Sequence, residues 1–196
     1  MAKWRKPAVF AASLLPFAYL VWATFNNALG PNPAEYLTRA TGDWTLRFLC
    51  LTLAVTPLRV ITGLNWLLRY RRMLGLFTFF YGVQHVCCYA GFDMGFDFGE
   101  IVRDIPKRPF VLAGFTALVL MTPLAATSFN AAIRWLGAAR WQALHRLVYA
   151  VAVAALLHFF WMRSAKNNYA EPIVYLAIIA ALLGWRVWRR VRAAQA

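Results

Sequence analysis

Three histidines, His85, His145 and His158, are the full complement of the chain, and each interrupts a long apolar run. An imidazole in hydrocarbon is costly unless something satisfies it, so each is a candidate functional residue from the outset. His145 and His158 share one run, thirteen residues apart, which suits ligands at two depths of a bilayer rather than one metal cluster. Neither level offers a third or fourth ligand, which disfavours zinc and copper. The chemistry that fits is haem ligation; the alternative is that each histidine bonds across helices as a satisfied polar side chain. Cys50, Cys87 and Cys88 form no C-x-x-C or C-x-x-C-H motif and read as small buried hydrophobes, so any haem is of the non-covalent b type.

The elements that must position these histidines follow from composition. Of 196 residues, 62% are hydrophobic and 14% charged, with mean hydropathy +0.54, a balance that belongs to an integral membrane protein. No stretch has the composition of a soluble catalytic domain, so flavin or nicotinamide chemistry requiring one is expected from a partner. About 20 residues cross the hydrocarbon core, and the apolar runs predict an all-α bundle of six spans in a single domain covering residues 1–196: about 8–25, 44–61, 73–92, 110–129, 142–162 and 172–187. His85 falls on the third span, His145 and His158 on the fifth. Pro123 is expected to kink the fourth span, and Pro172 to open the sixth. Lys3, Arg5 and Lys6 before the first run invite a signal-peptide reading. Its length, Pro16 and the want of a small-residue cleavage site favour a retained helix.

Charge orients the bundle. With the N-terminus inside, cytoplasmic segments hold Lys3, Arg5, Lys6, Arg59, Arg69, Arg71, Arg72, Arg134, Arg140, Arg146, Arg186, Arg189, Arg190 and Arg192, about two thirds of the basic residues. Glu35, Asp43, Asp93, Asp97, Glu100, Asp104 and Glu171 all fall on the opposite side. Both termini are therefore expected in the cytoplasm, and the net charge of +14 reflects topology and contact with anionic lipid. No soluble module supports a nucleic-acid reading of the pI near 10.6.

Counting from the inner face at 1.5 Å per residue, His85 lies about 18 Å along the third span, and His145 and His158 about 4 and 24 Å along the fifth. His85 and His158 are thus matched in depth for one outer haem. His145 lies near the inner face, within reach of Arg71 and Arg72, with no histidine partner at its level. Arg71, Arg72 and Arg146 are candidates to hold haem propionates or an FMN phosphate; the alternative is charge that sets topology. On an ideal helix His158 sits about 140° around from His145, so the two do not face one groove unless the helix is distorted or the haems sit at different azimuths. Trp44, Trp66, Trp135, Trp141 and Trp161 read as interface anchors. Arg47 faces headgroups or an outer propionate, and Gly75, Gly82, Gly91 and Gly114 permit close approach of helices or of a porphyrin.

The strings EYLTRATGDWTLRFL from Glu35, TPLR from Thr56, RRMLGLFTFFYGVQH from Arg71, TPLAATS from Thr122 and WLGAARWQALHRLVYAVAVAALLH from Trp135 resemble the MsrQ (YedZ) family of the ferric-reductase-like transmembrane superfamily. The resemblance covers nearly the whole chain. It implies a six-helix cytochrome b of the bacterial inner membrane that draws electrons from the quinone pool, or from a flavin reductase. It implies delivery to a periplasmic molybdopterin enzyme that reduces methionine sulfoxide in oxidised proteins, so this chain is an electron-transfer subunit with no catalytic residues of its own. His85, His145 and His158 fall on the family's haem-ligand positions. Relatives in the superfamily usually carry another histidine fourteen residues before the one matching His85, where this chain has Arg71. One secure outer haem b and a second, inner haem of uncertain second ligand are therefore expected. The family is also described as binding FMN, for which no sequence fingerprint stands out. Two alternatives are the haem core of a ferric reductase or NADPH oxidase-like system, whose flavin module is expected to be absent from this chain, and a haem-free transporter or assembly subunit.

Overall fold

The computed structural model describes residues 4–164 and 167–195; Lys3, counted above among the cytoplasmic charges, lies outside them. Every regular element among these residues is helical: α1 (Arg5–Phe25), α2 (Pro33–Thr62), α3 (Leu68–Cys88), α4 (Phe98–Lys107), α5 (Pro109–Ala126), α6 (Asn130–Leu136), α7 (Ala138–His145), α8 (Leu147–Ser164) and α9 (Ala170–Gln195). Six helical stretches are long and apolar enough to cross a bilayer, one for each expected span, and mark a multi-pass membrane protein. Their ends differ from the apolar runs because hydropathy reports the hydrocarbon core while helical hydrogen bonding continues into the headgroup zone. The second span thus begins at Pro33, eleven residues before Trp44, with Asn32 accepting from the Glu35 amide and proline in the first turn. The last runs on to Gln195.

The fifth span is not one straight helix. It breaks at Arg146, where short i→i−3 bonds (Arg146 N–H to the Ala143 carbonyl, 3.2 Å; Tyr149 N–H to the Arg146 carbonyl, 3.0 Å) tighten the turn between α7 and α8. The tightened turn separates α7, which carries His145, from α8, which carries His158, and the two histidines have different surroundings. The acidic segment after α3 contains the short amphipathic α4, which the apolar runs gave no reason to expect.

The most extensive helix pairs are α2 with α3 and α5 with α8; α1 lies on α2 and α3, and α9 on α8 and α2. Where the pairs meet, Leu46, Leu49, Leu53, Met121, Val151, Ala152, Phe159 and Ile179 form one buried cluster, while Phe48, Tyr70, Met73, Phe77 and Tyr81 form a second beside α1. Large apolar side chains on α1, α5 and α9, among them Leu15, Phe17, Val119 and Ile173, stay exposed, as helices facing lipid require.

Two prolines are repaired from neighbouring helices. In α1, beside Pro16, the Phe17 N–H donates to the Tyr81 hydroxyl (3.1 Å), which donates to the Ser13 carbonyl (2.8 Å), the acceptor four residues back. In α2, Pro57 has no N–H to offer the Leu53 carbonyl, and that oxygen accepts from the Arg186 guanidinium of α9. Arg186, counted above as a topology-setting charge, thus has a structural partner inside the bundle.

Candidate functional site

His85 projects from the C-terminal half of α3 and His158 from the C-terminal half of α8, one from each major helix pair. Their imidazole centroids lie 5.8 Å apart with ring planes at 78°. His85 Nδ1 is 2.8 Å from the Thr38 carbonyl at the start of α2, and His158 Nδ1 is 2.7 Å from the Phe110 carbonyl at the start of α5. A carbonyl oxygen only accepts, so Nδ1 carries a proton in both rings; in the neutral form, which an apolar surrounding favours, Nε2 then keeps its lone pair. Two imidazoles, each with Nδ1 held by a backbone carbonyl, thus meet between the α2–α3 and α5–α8 pairs. The depth match read from the apolar runs is realised as direct proximity. One turn beyond His85, the chain widens into a π-helical turn, Tyr89–Asp93, a device that recurs at functional sites.

The entrance to α5 is held by a polar corner where the end of the third span meets α4. Tyr89 donates to Asp104 Oδ2 (2.6 Å), and Arg108 Nε donates to both carboxylate oxygens at 2.7 and 2.8 Å. These hydrogen bonds, Arg108 foremost, hold the Asp104 carboxyl below the usual carboxylate range. Phe110, whose carbonyl receives His158, lies two residues on. Further ion pairs on the acidic segments join Glu35 to Arg39, Glu171 to Arg163 and, at 3.5 Å, Glu100 to Arg103.

His145 stands apart from that pair. It lines a cavity of about 270 Å³ together with Arg71, Arg72, Trp141 and Thr52, which places the inner histidine at the basic end of α3 as the depth arithmetic expected. Its Nε2 is 3.0 Å from the Thr127 hydroxyl, so the nitrogen left open in the outer pair is engaged here. Trp141 stacks on the His145 ring (centroids 3.9 Å, planes 27°) and donates its indole N–H to the Thr127 carbonyl at 2.9 Å. Read from sequence as an interface anchor, Trp141 also supports the histidine ring. Arg72 donates to Asn130 at 2.8 Å, and neither Arg71 nor Arg72 is ion-paired among the described residues. Thr52 Oγ1, also lining the cavity, is buried with no hydrogen-bond partner among the described residues. Arg146, at the α7–α8 break, does not line this cavity. Among the described residues no cluster of three or more His, Cys, Asp or Glu side chains could hold a separate metal ion.

Arg47 lies over the Trp44 ring at 4.6 Å, on an apolar groove of about 780 Å³ between α2 and α9 that Glu171 and Tyr175 also line. The glycines divide by neighbour. Gly82 sits against Met121 and Gly91 against Phe96, ordinary packing, whereas Gly114 faces His158 and Gly42 faces His85. Sequence reading passed over Gly42 and Thr127, and took Arg186 for a topology-setting charge alone. For Arg186 a signal existed: proline at position 57 inside an apolar helix announces an orphaned carbonyl four residues earlier.

Residues 8–156 match the family described as ferric reductase like transmembrane component. Proteins named "Protein-methionine-sulfoxide reductase heme-binding subunit MsrQ" are similar over nearly the whole chain. That of Polaromonas naphthalenivorans (strain CJ2) is 65% identical over 93% of this chain and 84% of its own length. That of Ralstonia nicotianae is 54% identical over 92% and 83% respectively, and that of Bordetella pertussis 50% identical over 97% and 93%. No solved structure matches the chain. Sequence, helix order and the placement of the histidines agree on one assignment: this chain belongs to the MsrQ family of ferric-reductase-like transmembrane proteins.

Proposed function

We propose that this protein is a b-type cytochrome subunit of the bacterial inner membrane that passes electrons from the quinone pool, or from a flavin reductase, to a periplasmic molybdopterin-dependent methionine sulfoxide reductase. The observation that carries the reading is the His85–His158 pair: two imidazoles from separate helix pairs, 5.8 Å apart, each with Nδ1 tied to a backbone carbonyl. That donor set would suit a haem iron held by His85 and His158, and it does not fit zinc or copper, which would need further ligands at the same level. The relatives' printed name, a heme-binding subunit of a methionine sulfoxide reductase, supports the same reading.

Haem b, when bound, supplies the one-electron redox chemistry, and the protein supplies ligation and tuning. His85 and His158 would hold the iron, and the Thr38 and Phe110 carbonyls raise the basicity of both rings by accepting from Nδ1. In the inner half, Arg71 and Arg72 offer two guanidiniums to an anionic group, a haem propionate or a flavin phosphate alike, with the Thr52 hydroxyl in the same wall. Thr127 and Trp141 hold the His145 ring, whose ligation through Nε2 requires giving up the Thr127 hydroxyl. Basic residues keep the termini and the Arg59–Arg72 segment on the cytoplasmic side, and the acidic segments face the periplasmic acceptor.

The test is reduction of the purified protein, followed by mixing with its periplasmic partner. A haem b difference spectrum that is reoxidised by the partner only when methionine sulfoxide is present supports the reading. A flat dithionite-reduced-minus-oxidised spectrum eliminates the cytochrome, and reoxidation by ferric chelates alone points to a ferric reductase.

A further inference from the structure

The outer histidines are seated in the same way twice. His85 Nδ1 meets the Thr38 carbonyl, and four residues on, Gly42 brings bare backbone against the ring: a Cβ there would lie 3.1 Å from both Nδ1 and Cε1. His158 Nδ1 meets the Phe110 carbonyl, and four residues on, Gly114 does the same, with a Cβ falling 2.7 Å from Nδ1 and 3.0 Å from Cε1. The separations from carbonyl to histidine are 47 and 48 residues. The α2–α3 and α5–α8 pairs therefore repeat one local device, a carbonyl with a glycine one helical turn later facing a histidine from the adjacent helix.

The chemistry of the device follows from its geometry. Each ring lies against helix backbone, close enough for Nδ1 to donate to a carbonyl that already closes its own helical turn. A methyl group at either glycine occupies the space of the imidazole and pushes the ring away from its acceptor. Because Nδ1 and Nε2 belong to one rigid ring, a change in seat turns the direction in which Nε2 points.

We propose that Gly42 and Gly114 are positioning residues that fix the tautomer and azimuth of the two haem-ligand histidines, and with them the near-perpendicular ring planes of the pair. This rests on the axial-ligand reading above. Perpendicular axial imidazoles give an oxidised low-spin haem a strongly anisotropic EPR signal, whereas parallel rings give a rhombic one. The Nδ1–H···O=C bonds make the ligands better donors, which lowers the midpoint potential.

The experiment compares purified Gly42→Ala, Gly114→Ala and Gly82→Ala with the parent protein by haem content, EPR and potentiometric titration. Gly82 is the packing control, because its Cβ would meet the Met121 methyl at 3.1 Å and no histidine. The expected result is retained haem in both seat variants with the outer signal shifted from its parental position and the potential raised, more in Gly114→Ala than in Gly42→Ala, and no shift in Gly82→Ala. Parental EPR and potential in both seat variants overturn the proposal, as do equal shifts in all three. Should Gly114→Ala fail to accumulate, Gly42→Ala decides alone, since at 3.1 Å the ring needs to give way by only a few tenths of an ångström. Failure of the ligand reading is seen separately, as a parental low-spin signal that survives His85→Ala or His158→Ala.

Discussion

Replacing Tyr81 with Phe removes one oxygen and leaves everything else that the residue does. The ring remains stacked on Phe48 (centroids 5.3 Å, planes 8°) and keeps its place in the aromatic cluster. Two backbone groups of α1 lose their bridge, the Phe17 N–H and the Ser13 carbonyl. In lipid no water replaces the hydroxyl, and a buried polar group left unsatisfied costs about 1–3 kcal/mol. Partial closure of the Phe17–Ser13 bond returns some of that, so the net expectation is about 2 kcal/mol, roughly a 30-fold change in the equilibrium between docked and undocked α1. Pro16 supplies the control: Pro16→Ala lets α1 close its own ladder, so the double variant is expected to be less destabilised than the sum of the singles by about 0.5–2 kcal/mol. Thermal unfolding in detergent gives the three energies, and proteolysis between Phe25 and Pro33 reports α1 docking. A Tyr81→Phe protein within 0.5 kcal/mol of the parent, or strictly additive effects, refutes the bridging role.

Other expectations follow from the same contacts. Arg186→Met keeps the stem and leaves the Leu53 carbonyl beside Pro57 without its donor; a loss of about 1.5–3 kcal/mol by thermal unfolding is expected, and an unchanged midpoint contradicts the repair. Thr127→Val frees Nε2 of His145 and is expected to alter the inner chromophore in the optical spectrum while the outer one stays parental; Trp141→Phe, which keeps the stack and removes the indole N–H, is expected to have the smaller effect. Asp104 is held below its ordinary range, so the stability it adds is fully present above the unfolded carboxylate value near 4 and is lost as pH falls through the lower folded value. Exposure to solvent discounts that contribution to about 1 kcal/mol or less. Hydrogen-exchange protection at residues 104–110, referred to the intrinsic rate at each pH, should therefore fall as the pH is taken below about 4, and Asp104→Asn should show the lower protection already at pH 7; identical profiles for the two proteins remove the corner from the account.

The spans were legible because a bilayer admits few backbone solutions, so apolar run length alone yields six helices. The matched depth of His85 and His158 was legible for the same reason, since rise per residue converts sequence position into height. Azimuth was not. It depends on the tightened turn at Arg146, a break that no glycine or proline marks in the fifth span. The seats at Gly42 and Gly114 escaped because they are relations between helices 47 and 48 residues apart, and a glycine in an apolar helix reads equally as general packing. Trp141 looked like an anchor at the membrane boundary; it also supports the ring of His145, four residues along the same helix.

The central claim is that His85 and His158 together hold one haem while His145 serves another site. Reduced-minus-oxidised spectra with haem quantitation of His85→Ala, His158→Ala and His145→Ala, each shown to be inserted and folded, test it directly. The account predicts that the first two lose the same low-spin component and that His145→Ala retains it. A full parental haem b spectrum in either of the first two variants, or loss of that component in His145→Ala alone, contradicts it.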